Sequence, residues 1–326
     1  MILAGLDIGT NTLRLLVAEL GPSAFREIHS DRRITRLGED LDRSGKLSNA
    51  AISRSIEALA RFSDSMRNHA VSGISAVGTS ALRRATNADE FIAEAKNRTG
   101  IDIRVILGEE EARLTLAGVT RALRATAEGE RGAAPFPSTL VIDIGGGSTE
   151  IISQHPGRAT TEASLPLGAV YLTERFIAHD PPTENELGRL RGAAGLELDK
   201  HREILHPDPN RLLAGTAGTI TTLAAMELRL AKYDPDAINC FQLSREAIDA
   251  VVRKLGRSTL QERRAIPGLE PGREDIILAG AVILQEVMRR FGYTSMLVSD
   301  WGLREGIVFD MYEKITKQDT AKGTKP

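Results

Sequence analysis

Near its start the chain places Asp7-Ile8-Gly9-Thr10-Asn11-Thr12 after an apolar run, and far along it places Asp143-Ile144-Gly145-Gly146-Gly147-Ser148 after another. In both, a carboxylate ends a strand, glycine follows it, and a hydroxyl closes the turn. Glycine lets the backbone approach a ligand, and successive N–H groups of such a turn form a nest for an anion. The chemistry this suits is phosphate binding, by Gly9, Thr10, Asn11 and Thr12 in one turn and Gly145, Gly146, Gly147 and Ser148 in the other. Asp7 and Asp143 repel phosphate, so their expected work is to hold a metal ion or a water beside it. One glycine-rich turn is usually an ordinary hairpin connection; two, with their carboxylates in register, favour the ligand reading.

Gly108-Glu109-Glu110-Glu111-Ala112-Arg113 is the second informative stretch. For Glu109 and Glu110, complementing the positive end of a helix is role enough. Glu111 borders an apolar helix face through Leu114 and Thr115, where a carboxylate is costly without a purpose. Beside a bound phosphate it could take a proton from an attacking water, or orient it. Arg83, on the helix after Gly78-Thr79-Ser80, offers a planar guanidinium fork for phosphate oxygens, and Arg14, just after the first turn, offers another. On spacing alone each is equally well a solvated arginine. Gly215-Thr216-Ala217-Gly218-Thr219 is a further strand-to-helix turn able to point N–H groups at an anion, and by itself it is weak.

These positions need elements to hold them. Alternation and Gly/Asn punctuation predict a hairpin of Ile2 to Ile8 and Leu13 to Leu20, and a second of Thr139 to Ile144 and Thr149 to Ser153. Further strands are predicted at Gly73 to Val77, Ile101 to Leu107 and Ser295 to Ser299. Helical spacing marks Ser48 to Ala70, a stretch up to Arg98 capped by Asn87 with Glu90, and Glu109 to about Arg124. Later helices are expected at Thr219 to Ala231, Ser244 to Leu255, Thr259 to Ile266, about Glu270 to Phe291, and Leu303 to about Lys317. The pairs Asp7 and Asp143, Gly9 and Gly145, Thr12 and Ser148 recur at nearly the offset that separates Gly78-Thr79-Ser80 from Gly215-Thr216-Ala217, which indicates a duplicated domain. The reading is therefore α/β. A first domain of 1–125, joined by the final helix 303–317, and a second of 138–302 flank a linker at 126–137, with 318–326 a frayed tail.

Composition bounds the function classes. Forty-two basic against 44 acidic residues give a net charge of -2, so no chain-wide basic field exists to hold nucleic acid. One cysteine, Cys240, excludes an internal disulfide and any multi-cysteine zinc site, and suits a reducing compartment, so a cytoplasmic location is expected. The longest apolar stretch, Ile276 to Leu284, is far shorter than a membrane span.

Taken in order, Asp7 to Thr12, Gly78-Thr79-Ser80-Ala81-Leu82-Arg83, Gly108 to Arg113, Val141 to Glu150, Gly215 to Thr219 and Ser299-Asp300-Trp301-Gly302-Leu303-Arg304-Glu305-Gly306 resemble the exopolyphosphatase and guanosine pentaphosphate phosphohydrolase (Ppx/GppA) family over nearly the whole chain. The resemblance implies two duplicated domains of the actin, sugar-kinase and heat-shock ATPase fold, each with a mixed five-stranded sheet, and an interdomain cleft. It places the family's water-activating glutamate on Glu111, its phosphate-contacting arginine on Arg83, and its magnesium-linked acids on Asp143 and Glu150, with Asp7 at the corresponding place in the first turn. It also places Arg273 among residues lining the cleft. The implied reaction is Mg²⁺-dependent release of terminal orthophosphate from inorganic polyphosphate, a monovalent cation such as K⁺ being a second ion to test. Guanosine pentaphosphate is the alternative substrate, and an ATP-dependent small-molecule kinase the more distant one. Longer members continue into a C-terminal helical region, so a preference for short chains is expected unless a homodimer joins two clefts into one groove.

Overall fold

The computed structural model describes residues 1–22, 24–127, 137–205, 208 and 211–323. Most of the linker expected at 126–137 and the end of the tail, 324–326, lie outside them. Two compact units result: Met1–Gly118 with Leu303–Pro326, and Val119–Gly302.

In the first unit, β1 (Ile2–Ile8), β2 (Thr12–Gly21), β3 (Ala24–Ile34), β4 (Gly73–Gly78) and β5 (Ile103–Val105) form one sheet in the order β3-β2-β1-β4-β5. β1, β2 and β3 pair antiparallel, whereas β4 and β5 run parallel to β1. Ile8, Leu6 and Ala4 of β1 bury one face against Ile56, Leu59 and Phe62 of helix Asn49–Asn68 and Phe91 of helix Ala88–Thr99. The final helix, Leu303–Gly323, covers the other face, and at Gly5 its Arg304 carbonyl and Val308 come so near that any side chain would collide.

The second unit repeats the plan. β6 (Thr139–Ile144), β7 (Thr149–Gln154), β8 (Thr161–Leu165), β9 (Leu212–Thr216), β10 (Gln242–Ser244) and β11 (Ser295–Val298) lie in the order β10-β11-β9-β6-β7-β8. Read outward from the first strand of each hairpin, β6, β7, β8, β9 and β11 match β1, β2, β3, β4 and β5 in order and direction. The duplication inferred from two turns is thus a duplication of the whole sheet. This unit has six strands rather than the expected five, because β10 adds antiparallel to β11. Helix Ile277–Arg290, nearly all buried, forms its core with Leu223 and Ile248.

Several boundaries differ from the sequence reading for local reasons. Asn87 precedes its helix without capping it, because its amide bonds both the N–H and the carbonyl of Leu47, at 2.8 and 3.1 Å. The helix expected from Glu270 begins at Ile277, the preceding residues being turns in which Arg273 and Glu270 pair. The last helix runs to Gly323 instead of ending near Lys317, its exposed face carrying i,i+4 pairs of Asp310 with Lys314 and Glu313 with Lys317. No described helix is long and apolar enough to cross a membrane.

Candidate active site

In the first unit, the β1–β2 turn is tied down from behind. The carbonyl of Thr10 accepts from Gly38 N–H at 2.9 Å, and that of Asn11 from the N–H groups of Thr35 and Arg36 at 3.1 and 3.0 Å. Gly9 N–H bonds the Thr12 carbonyl at 3.2 Å, and Asn11 Nδ2 donates to Thr12 Oγ1 at 3.3 Å. Thr10, Asn11 and Thr12 are all buried, and the Asn11 Oδ1 has no hydrogen-bond partner. The turn is a rigid polar cup, as an anion nest requires.

Strand register decides what stands beside it. Asp7 is directly opposite Arg14, and Arg14 is directly opposite Arg32, so the three lie in one row on one face of β1, β2 and β3. The guanidinium of Arg14, half-buried, makes no ion pair or hydrogen bond among the described residues.

Arg83 and Glu111 meet. Arg83 Nη1 lies 2.6 Å from Glu111 Oε2 and 2.9 Å from the Ile106 carbonyl, and Glu111 is 6% exposed. Helix Ser80–Arg84 starts at the end of β4 and helix Gly108–Ala127 follows β5, so two neighbouring parallel strands deliver the two side chains to one end of the sheet. The helix that carries Glu111 packs tightly on the final helix, since Gly306 lies against the backbone of Leu114, where a Cβ would come within 1.9 Å of the carbonyl oxygen. Glu110 has a role beyond the helix end: it receives both terminal nitrogens of Arg104 at 2.7 and 2.9 Å, and this bonding holds its carboxyl below the usual range. Arg113 turns away to Asp310 at 2.9 Å.

In the second unit, the β6–β7 turn is pinned by the helix that follows β8. The Gly146 carbonyl accepts from Val170 and Tyr171 N–H at 2.9 and 3.2 Å, and that of Gly145 from Ala169 at 3.0 Å. This approach leaves no room at Gly168, where a Cβ would lie 2.2 Å from the Gly146 oxygen. Asp143 is directly opposite Glu150, and Glu150 opposite Ser164, whose hydroxyl donates to Glu150 Oε1 at 2.8 Å. Both acids are buried, at 8% and 1% exposure. Two carboxylates side by side in a buried row are mutually repulsive unless a cation or proton lies with them.

Gly215 and Thr216 end β9, and the Thr216 hydroxyl donates to the Trp301 carbonyl at 3.0 Å. Ala217 begins the next helix with φ 73°, a left-handed backbone that costs a non-glycine residue roughly 1 kcal/mol. Arg273, expected to line a cleft, is 4% exposed; it lies against Gly218 at the start of that helix and pairs with Glu270 at 2.5 Å.

Among the described residues no three His, Cys, Asp or Glu side chains gather as a metal-ligand set. The acids come together as a pair, which suits Mg²⁺, an ion that commonly takes one or two carboxylates and completes its shell with water and substrate phosphate. Sequence reasoning missed Ser164, Arg32 and Glu270, since only strand or turn pairing reveals them. It also gave no role to Glu305, a 1% exposed acid accepting from Arg304 Nε at 2.6 Å.

Residues 16–315 match the model of the Ppx/GppA phosphatase family. Exopolyphosphatase 2 of Mycobacterium tuberculosis is 33% identical over 322 residues, covering 94% of this chain and 98% of that protein. The crystal structure of an exopolyphosphatase from Cytophaga hutchinsonii superposes with a TM-score of 0.85 at 26% identity, covering 96% of this chain and 98% of that one. The Aquifex aeolicus Ppx/GppA family member gives a TM-score of 0.78 at 33% identity, with 96% and 98% coverage.

Proposed function

This chain belongs to the Ppx/GppA phosphatase family, and on that premise we propose that it is an exopolyphosphatase, releasing the terminal orthophosphate of inorganic polyphosphate. The observation that carries the reading is the pair of half-buried Arg83 with buried Glu111, with 2.6 Å between Nη1 and Oε2, in a protein whose two units each bear a glycine-rich turn beside an aspartate.

In this mechanism Glu111 orients a water in line with the terminal phosphorus and accepts its proton. The water oxygen bonds to phosphorus, the anhydride P–O bond breaks, and the shortened chain leaves with the electron pair on its new terminal oxygen. Arg83, with five donors in a planar fork, holds the Glu111 carboxylate and reaches a terminal phosphate oxygen. The N–H groups of the Gly9 to Thr12 and Gly145 to Ser148 turns bind phosphate oxygens. Asp143 and Glu150, the latter oriented by Ser164, would hold Mg²⁺, which when bound neutralises phosphate charge. Such a reaction asks little covalent chemistry of the protein, since positioning and electrostatic stabilisation supply most of the rate.

Orthophosphate release tests the reading. Purified protein is offered polyphosphates, guanosine pentaphosphate and ATP, each with Mg²⁺ and with a chelator. Polyphosphate should give the highest kcat/KM, with the chelator abolishing release. A higher kcat/KM on guanosine pentaphosphate or ATP would overturn it.

A further inference from the structure

Arg104 of β5 grips Glu110, the residue just before Glu111. Its Nη1 and Nη2 donate to Glu110 Oε2 and Oε1 at 2.7 and 2.9 Å, a bidentate fork. In the parallel β4–β5 ladder Arg104 stands opposite Val77, which packs in one buried cluster with Ile106, Leu114 and Ile307. Arg104 therefore lies on the sheet face that the helix Gly108–Ala127 covers, and its guanidinium ties the strand to the first turn of that helix.

The connection between them needs such a tie. β5 is three residues long and forms the edge of its sheet, and Leu107, between strand and helix, is 69% exposed. The first N–H groups of a helix have no partner within it, so helix starts fray. Glu111 lies in this first turn, its N–H bonding the Leu107 carbonyl at 3.0 Å. Ile106 anchors the connection at one point: its N–H bonds the Gly78 carbonyl at 3.0 Å, and its own carbonyl accepts from Arg83 Nη1 at 2.9 Å. The Arg104–Glu110 fork anchors it at the other. An isolated exposed ion pair contributes little, but this one is bidentate and continues through Arg113, 3.8 Å from Glu110 Oε1, to Asp310 of the final helix. Glu109, exposed in the same turn, makes no ion pair or hydrogen bond among the described residues. A carboxylate that only complements the helix dipole needs no more than that.

We propose that Arg104 is a positioning residue for hydrolysis: through Glu110 it fixes the start of the helix, and so the place of the Glu111 carboxylate against Arg83 and the attacking water. The inference rests on the role given to Glu111 above. A group that must align a water with phosphorus is sensitive to small shifts, a displacement of about 1 Å being able to cost ~10²-fold in rate.

The test compares Arg104→Gln, Arg104→Lys, Glu110→Gln and Glu109→Gln by kcat and KM for polyphosphate, with thermal unfolding to establish that each is folded at the assay temperature. Arg104→Gln and Glu110→Gln should each lower kcat roughly five- to twentyfold, with KM within about twofold of wild type. Arg104→Lys, which keeps the charge and loses the fork, should recover part of that loss. Glu109→Gln removes the same charge from the same turn and should leave kcat within about twofold. The decisive comparison adds Arg104→Gln to Glu111→Gln: once the carboxylate is gone its placement no longer matters, so the double variant should turn over within about twofold of Glu111→Gln. A merely destabilising change would instead multiply the two losses. Multiplied losses, an unchanged kcat in Arg104→Gln, a rise in KM alone, or an equal loss in Glu109→Gln would each overturn the positioning role. Wild-type turnover in Glu111→Gln alone would refute the underlying role of Glu111, a result that no outcome with Arg104 imitates.

Discussion

Arg14 of β2 and Glu150 of β7 occupy the same place in two equivalent hairpins, each directly opposite the aspartate that closes the first strand, Asp7 in one unit and Asp143 in the other. Duplication supplied the same position twice, and the two copies carry opposite charge. Asp7 thus stands opposite an arginine and Asp143 opposite a second acid, an arrangement that a nearby cation would relieve. On the function proposed above, a metal ion would sit with the acids of the second hairpin, while the turns of both hairpins bind phosphate.

Replacing Asp143 by Asn should therefore raise the Mg²⁺ concentration for half-maximal rate and lower the maximal rate. Arg14→Gln should raise KM with the Mg²⁺ midpoint unmoved. A Mg²⁺ titration of each variant, with Mn²⁺ binding followed by electron paramagnetic resonance, separates the two; the same midpoint in Asp143→Asn as in wild type would place the ion elsewhere.

Glu111→Gln should lower turnover by ~10²- to 10⁴-fold with substrate binding nearly intact, the loss typical of a general base. Because Arg83 lies 2.6 Å from Glu111, their effects should not add. The double variant Arg83→Ala, Glu111→Gln should be little slower than Glu111→Gln alone, and strictly multiplicative losses would show that the pair does not act together.

Arg113→Ala is the comparison for Arg83→Ala. Arg113 pairs with Asp310 on the final helix, at 52% and 20% side-chain exposure, and a pair so exposed is worth about 0–1 kcal/mol. Its removal should shift thermal stability slightly and leave KM alone, whereas Arg83→Ala should raise KM. Equal KM changes would remove Arg83 from substrate binding.

At Gly168 a methyl group would meet the Gly146 oxygen at 2.2 Å, too close for either backbone to remain in place. Gly168→Ala should displace the Gly145 to Ser148 turn and cost activity far more than stability. Full activity in a folded Gly168→Ala protein would remove that turn from the mechanism.

Glu186 gives a pH dependence unrelated to catalysis. It accepts from the His179 ring at 2.9 Å and from the N–H groups of Thr183 and Ala178, each at 2.8 Å. These bonds, the His179 contact foremost, hold its carboxyl down at about 2. A depressed acid stabilises the fold above its unfolded value of about 4.3, and that contribution is lost as pH falls toward 2. Denaturant unfolding should show wild type ahead of Glu186→Gln by a constant margin from about pH 7 to 5, narrowing below about pH 4. A margin independent of pH would assign the difference to packing.

The sequence by itself determined the two glycine-rich turns, the duplication and the candidate acids and arginines, because these depend on local chemistry: glycine where the backbone must come close, hydroxyl and carboxylate at fixed offsets, and apolar periods that alternate at two or at 3.6 residues. It also marked Glu111 within a run of three glutamates, since burial on a helix face follows from spacing. Tertiary structure alone decided which side chains face one another. Arg83 and Glu111 are 28 residues apart, and Ser164 and Glu150 are 14 apart on separate strands. Arg14 meets Arg32 only through the pairing of β2 with β3. A shift of one residue in the β2–β3 or β7–β8 ladder would set Arg32 or Ser164 on the opposite face from its present partner. Register is set by the summed burial of whole strands, a long-range quantity that no short motif contains.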